Sequence, residues 1–295
     1  MIRIALILFA GCLFLFACLN KDHESLTKSG FPYIHHIAND GPKPQPGEYV
    51  TFDVVMRFQD SILNSSLGMD QKPSVQIPME GDAQDKSSAI IDGLRLMSTG
   101  DSLTLFFDLD SLPVKPPAYQ NFDVIAYDLK LLQIKTEEAF KSEMDELIRL
   151  KELERQKIKS RESEVKNIVL EGLTNYRQQK LKTTRTNSGL EFVILELGSG
   201  PRPGNGDVVS VHYYGVLTDG EMFDTSFKEG DPYQFRIGTG RVIKGWDEGI
   251  SYLSQGSKAL LFVPYHLGYG EAGYLNIPER ADLVFYVELD AVNAY

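Results

Sequence analysis

The sequence predicts an α+β protein of two similar domains, each a curled antiparallel sheet around one short helix, joined by a long helical linker. Three observations carry this. First, the segments on either side of the middle repeat in one order: "GEYVTFDVVMRF" (47–58) parallels "GDVVSVHYYGVL" (206–217), and "ILNSS" (62–66) parallels "MFDTS" (222–226). Likewise "IIDGLRLMSTGDSLTLFF" (90–107) parallels "WDEGISYLSQGSKALLFV" (246–263), and "VIAYDLKLL" (124–132) parallels "VFYVELDAV" (284–292). Four matches at offsets of 156 to 160 residues point to one fold used twice. Second, Val209, Val211 and Tyr213 alternate with Ser210 and His212, while Leu283, Phe285, Val287 and Leu289 share one strand face. Such strands have one wet side, which favours antiparallel pairing. Third, residues 136–182 contain no proline and are rich in Glu, Lys, Arg and Leu, with Thr136 followed by two acids as a helix start.

The elements follow in chain order. "MIRIALILFAGCLFLFACLNKDHES" has one early positive charge at Arg3 and an apolar run from Ile4 to Leu19, the layout of an export signal. At 16 residues the run is short of the ~20 a membrane span needs. It ends in "LFAC", which resembles the lipobox of bacterial lipoproteins; the resemblance implies a signal peptide over 1–17 and a lipidated Cys18. "FAGC", ending at Cys12, leaves a very short apolar run, and a plain cleaved signal or an uncleaved anchor are the other readings. Leu19 is unlike the acidic inner-membrane retention signal, so the expectation is a lipid-anchored envelope protein in the outer membrane, facing the periplasm or the cell surface. Residues 18–46 are polar and end in "NDGPKPQPGE", which reads as an extended tether.

A folded unit is expected over 47–135 and the helical linker over 136–184. In the linker, Phe140, Met144 and Ile148, then Val165, Ile168, Val169, Leu173 and Tyr176, recur at helical spacing. It reads as one helix or two hinged near Gly172, and as a spacer or a dimerising coil. The second domain covers 185–295. There Trp246, Gly249, Ile250 and Leu253 fall at i, i+3, i+4 and i+7, so they share one face of a short helix that must lie on the sheet.

Composition removes several function classes. Acidic residues outnumber basic ones, 41 to 30, and the net charge of −11 comes without a basic stripe, so nucleic acid is not an expected partner. Both cysteines lie in the leader, which excludes disulfides, thiol catalysis and cysteine-bound metal in the mature body. His23, His35, His36, His212 and His266 show no ligand spacing; the adjacent His35 and His36 read as a polar loop, and no metal or cofactor is expected. "GSGPRPGNGD" and "GTGRVIKG" lack the strand and helix context of a phosphate loop.

From pattern alone, Trp246, Tyr213 and Phe285 read as core rather than site, Asp224 as a turn residue or a pocket edge, and Tyr269 as a loop tip between glycines. Together, however, "SGLEFVILELGSG", "DVVSVHYYGVLTDGEMFDTS", "VIKGWDEGI", "GYGEAG" and "LVFYVEL" resemble the FKBP family of peptidyl-prolyl cis-trans isomerases over residues 188–292. The resemblance implies two FKBP-like domains and a proline pocket in the second. Its floor is Trp246, with Tyr213, Phe223, Tyr233 and Phe285 around it and Val242 and Ile243 completing the lining. Asp224 is the acid near the reacting peptide, and Tyr269 and Ile277 give hydrogen bonds from a flap. Glu279 stands where the family often has a second proline, so flap shape departs from the pattern.

The first copy matches the family only in outline. Tyr213, Phe223, Asp224 and Trp246 correspond there to Val54, Leu63, Asn64 and Ile90, and the flap to the shorter "LPVKPPAYQN". That domain reads as degenerate, serving binding, dimerisation or spacing. The resemblance thus implies an exported prolyl isomerase with chaperone activity. Its partners are proline-containing unfolded or nascent exported polypeptides, the membrane through the N-terminal lipid, and a second copy through the helical linker. The competing reading is a non-catalytic chaperone or binding module.

Overall fold

The computed structural model describes residues 25–69, 71–79, 81 and 88–293; the leader and Cys18 lie outside them. The chain divides into two compact units between Asp145 and Glu146.

The first unit contains β1 (Ser25–Leu26), β2 (Pro32–Ile37), β3 (Tyr49–Phe58), β4 (Ser61–Ser65), β5 (Ser74–Gln76), α1 (Ala89–Arg95), β6 (Ser102–Asp108) and β7 (Val124–Lys135). They form one antiparallel sheet in the order β1-β2-β6-β7-β3-β4, with β5 on β3. The helix α1 lies on it, its start capped by the Ser88 hydroxyl accepting from the Ile91 N–H. Val50, Phe52, Leu94, Leu103, Leu105, Leu129 and Leu131 form the core between them.

Residues 25–37 are not tether. They form β1 and β2, and β2 pairs with β6, Tyr33 opposite Leu105. Phe31 and Tyr33 pack on the core while Ile34 and Ile37 face outward. The alternation is short and flanked by proline and glycine, so it shows as strand only once its distant partner is present. His35 and His36 are in β2 rather than a loop: His36 Nε2 is 2.7 Å from Thr104 Oγ1, and His35 Nε2 is 3.6 Å from the buried Asp101 carboxylate.

The linker forms α2 (Glu137–Ser160) and α3 (Glu162–Arg177). The break is at Arg161, not near Gly172. Arg161 forks onto Glu288 of the second unit's sheet and lies over the Phe227 ring, whereas Gly172 is buried inside α3. A Cβ on Gly172 would overlap Leu260 Cδ1, so this glycine serves close packing of helix on strand rather than bending.

The second unit adds β8 (Thr184–Arg185), β9 (Glu191–Glu196), β10 (Val208–Leu217), β11 (Met222–Thr225), β12 (Tyr233–Arg236), α4 (Lys244–Ser251), β13 (Lys258–Val263) and β14 (Leu283–Asn293). Its sheet runs β8-β9-β13-β14-β10-β11 with β12 on β10, the first sheet strand for strand. Register repeats as well: Asp224 faces Gly215 as Asn64 faces Met56, and both long strands carry a bulge, at Ser210/Val211 and at Thr51/Phe52. One sheet face packs on α4 through Val209, Val211, Ile250, Leu253, Leu261 and Phe285. The other packs on α3 through Val165, Val169, Leu173, Leu260, Phe262 and Tyr286.

Because the α3 contact is already closed at Gly172, Gly172→Val should lower stability by about 1–3 kcal/mol through overpacking. The expected sign is a lower urea midpoint at unchanged slope; an unchanged midpoint would show that the helix can lift from Leu260 freely.

Candidate active site

The candidate site lies where α4 begins. Trp246 is in its first turn and is 5% exposed. Two buried glycines set its depth: a Cβ at Gly245 would stand 2.5 Å from Val263 Cγ1, and one at Gly249 would stand 3.0 Å from Leu261 Cδ1. The helix can therefore lie close on the strands, and the indole reaches between the rings that β10, β12 and β14 project inward.

Those rings meet it by their edges. Tyr213 lies 5.0 Å from the indole at 76°, Phe285 5.3 Å at 77° and Tyr233 6.4 Å at 68°; Phe235 is tilted at 5.8 Å. Phe223 stands edge-on to Phe285 at 5.5 Å and 89°. Each such pair contributes roughly 0.5–1.5 kcal/mol beyond area burial. Tyr213, Phe223, Val242, Ile243 and Tyr269 are half-buried on a floor of buried Trp246, Phe235, Phe285 and Ile277, and Tyr233 is 46% exposed at the rim.

Polar groups converge at the rim. The Tyr213 hydroxyl donates to Asp224 Oδ2 at 2.7 Å, while Asp224 Oδ1 accepts the Thr225 N–H at 2.9 Å. Burial, then the hydrogen bond and charge of Asp224, push the Tyr213 phenol up. Burial and the same carboxylate raise Tyr269, which stacks on Tyr274 at 5.4 Å. Both phenols are thus neutral donors at ordinary pH. The indole Nε1 is buried with no hydrogen-bond partner among the described residues, so the floor is apolar in effect.

One sequence expectation needs correction. The Ile277 N–H donates to the Tyr274 carbonyl, and its own carbonyl accepts the Tyr274 N–H, so its side chain serves the floor and its amide is engaged within the flap. Ile243 instead precedes the first turn of α4, and its N–H takes no acceptor among the described residues.

Three supporting residues escaped sequence reasoning. At Gly215 a Cβ would come within 2.7 Å of Phe223 and 2.9 Å of Phe285, so these two rings seat only over glycine. A glycine inside a strand was the available signal. Asp247 accepts the N–H groups of Gly238 and Gly240 at 2.8 and 3.1 Å, tying down the turn before Val242 and Ile243. Ser226 Oγ accepts the Tyr213 N–H at 2.9 Å.

A second concavity, about 310 Å³, lies between α3 and the strand ends, with Arg177, Arg185, Glu191 and Asp282 at its lip. Its charges balance and it does not adjoin Trp246. No group of three or more metal-ligating side chains occurs among the described residues, and no helix among them is long and apolar enough to cross a membrane.

Comparison with known proteins adds a family. The model of the FKBP-type peptidyl-prolyl cis-trans isomerase matches residues 200–290. Peptidyl-prolyl cis-trans isomerase FKBP15-2 of Arabidopsis thaliana is 53% identical over 89 residues, 30% of this chain and 55% of its own length. FK506-binding protein 1 of Dictyostelium discoideum is 45% identical over 102 residues, 34% of this chain and 95% of its own. FkpA of Aeromonas hydrophila is 43% identical over 118 residues, 40% of this chain and 42% of its own. The solved FkpA from Escherichia coli is 31% identical, covering 54% of this chain and 73% of that one at a TM-score of 0.38. The chain spans about half the length of the Arabidopsis and Aeromonas relatives.

The raised phenols fix a direction for alkaline stability. The folded protein keeps protons on Tyr213 and Tyr269 that the unfolded chain releases near pH 10, so stability present below pH ~10 is lost as pH rises beyond it. Melting temperature should fall between pH 9 and 11, less steeply in Tyr213→Phe; equal slopes for the two proteins would contradict the burial of this phenol.

Proposed function

This chain belongs to the FKBP-type peptidyl-prolyl cis-trans isomerase family, and we propose that its second domain isomerises X-Pro bonds of exported or envelope polypeptides. The observation that carries this is the indole boxed by ring edges, with the Tyr213–Asp224 pair and the Tyr269 hydroxyl at its rim. Rotation about a prolyl amide crosses a barrier of roughly 18–20 kcal/mol, and uncatalysed isomerisation takes ~10–100 s. No bond is made or cut, so the site needs only to prefer the twisted amide over both planar forms.

An apolar floor supports that preference. It holds the proline ring by its apolar face and removes the water that favours the polar planar amide. Trp246 is only 5% exposed, as a floor is, and Tyr233, 46% exposed at the rim, is the ring most open to an entering proline. The free Ile243 N–H and the Tyr269 hydroxyl are the donors for carbonyls flanking the twisted bond, and Asp224 is the nearby acid. A thousandfold acceleration needs about 4 kcal/mol of such differential stabilisation.

The first domain keeps the sheet and loses the bowl, so its role is binding. Ile62, Leu67, Met69 and Met79 are exposed around it, an apolar surface suited to unfolded chains, which supports chaperone activity beside isomerisation. Exposed Ile148, Leu150 and Leu153 on α2 support pairing of two copies through the linker. Lipidation at Cys18 holds the protein in the envelope, at the outer membrane.

The test follows a proline peptide by exchange NMR with the full chain beside folded Asp224→Leu and Tyr269→Phe variants. Wild type should accelerate isomerisation, and each variant should lose about tenfold, or ~1.4 kcal/mol of transition-state stabilisation. Unchanged rates in both variants would remove this site assignment. Separately, Cys18→Ala should move the protein from the membrane pellet to the soluble fraction on fractionation; retention in the pellet would overturn the lipid anchor.

A further inference from the structure

The segment between β11 and β12 joins two sides of the bowl. It leaves the site at Asp224 and returns at Tyr233. At its start Ser226 accepts the Tyr213 N–H at 2.9 Å, and the Thr225 hydroxyl donates to the Tyr213 carbonyl at 3.0 Å. At its end the Tyr233 ring lies 6.4 Å from Trp246 and 6.5 Å from Tyr213. Whatever fixes this segment therefore fixes both the acid and an aromatic wall.

What fixes it is α2. Gly230 sits so close to that helix that an added Cβ would be 2.7 Å from the Arg155 carbonyl and 3.0 Å from its Cα. Beside it, Arg155 Nε donates to Asp231 Oδ1 at 2.8 Å. Phe227, fully buried, packs in one cluster with Ile158 at the end of α2 and Val165 of α3, and the Arg161 guanidinium lies 5.7 Å over its ring. Within the segment itself the Gly230 N–H donates to the Ser226 carbonyl at 2.9 Å, making it a tight turn rather than a free strap.

We propose that the last turns of α2 brace the rim of the bowl, with Arg155 as a positioning residue that acts through Asp231 and Gly230 on Asp224 and Tyr233. The functional unit of isomerisation then includes the end of the linker helix, well before the sheet begins at Thr184. The catalytic part of this inference rests on the isomerase reading above; the structural part does not, because the lone tryptophan of the chain, Trp246, reports the bowl directly.

The experiment uses the full chain and charge reversal. Arg155→Asp and Asp231→Arg are made singly and together, beside Arg149→Asp, which breaks another exposed α2 ion pair, with Glu146 on the same helix rather than with the segment. Each single reversal at 155 or 231 should shift Trp246 emission and lower kcat/KM by about three- to fivefold, the scale of an exposed pair. The double reversal should restore both, and Arg149→Asp should match wild type. Wild-type emission and rates in the two singles, no recovery in the double, or an equal loss in Arg149→Asp would overturn the brace. Should wild type itself fail to isomerise the peptide, the proposed function falls, and the emission series still decides the brace.

Discussion

The edge-to-face seat of Trp246 is the constraint on which the second domain's inner face depends. An indole whose N–H is buried and has no partner among the described residues costs roughly 1–3 kcal/mol. Ring contacts with Tyr213, Phe285 and Tyr233 offset that cost at ~0.5–1.5 kcal/mol each, and only while all are close. Closeness in turn demands glycine at three separate places. Gly245 and Gly249 let α4 down onto β13, and Gly215 of β10 makes room for Phe223 of β11 and Phe285 of β14. The aromatic residues are visible as chemistry, whereas the glycines are what allow that chemistry to converge.

The same sheet is bound on its other face by a different arrangement. There α3 supplies aliphatic cover, and Arg161, at the break between the helices, forks onto a buried Glu288 that also accepts the Tyr286 hydroxyl at 2.6 Å. Burial raises the Glu288 carboxyl while its two donors lower it, and the net direction is downward. Nearby Asp290, with burial first and Glu288 second as causes, is instead pushed up to about 6. A buried pair of this kind adds little net stability over an apolar substitute, but losing one partner strands a charge. It therefore specifies where the helix breaks more than how firmly it holds. Sheet, α4 and α3 form three layers, and rigidity at the bowl comes from both outer ones.

The duplicated domain separates what the fold requires from what the site requires. Strand order, pairing partners and a bulge persist from one copy to the other. These depend on alternation and backbone hydrogen bonds, which Val54 or Ile90 satisfy as well as Tyr213 or Trp246 do. Tyr127 even keeps a ring where Phe285 stands, since it faces Met56 as Phe285 faces Gly215. That methionine, in Gly215's place, brings a side chain where Phe223 and Phe285 need open space. A site held by ring edges thus disappears through a few substitutions that leave the sheet undisturbed.

The same distinction explains what could be read along the chain. Strand period and the short helix were legible because each is a pattern among near neighbours, whereas the candidate rings stood out as a site only through the family resemblance of the motifs that hold them. The strand at Pro32–Ile37, the break at Arg161 and the free amide at Ile243 were not, because partners elsewhere decide them. Tyr33 needs Leu105; Arg161 needs Glu288, 127 residues on; Arg155 needs Asp231, 76 residues on. Ile243 and Ile277 show the difference most sharply: their side chains both belong with the floor, yet one amide is free and the other engaged, since Ile277 closes a turn with Tyr274 while Ile243 begins a helix. Residue type reports what a side chain can touch. Which backbone groups are left to meet a substrate is fixed only when the chain has closed its own hydrogen bonds.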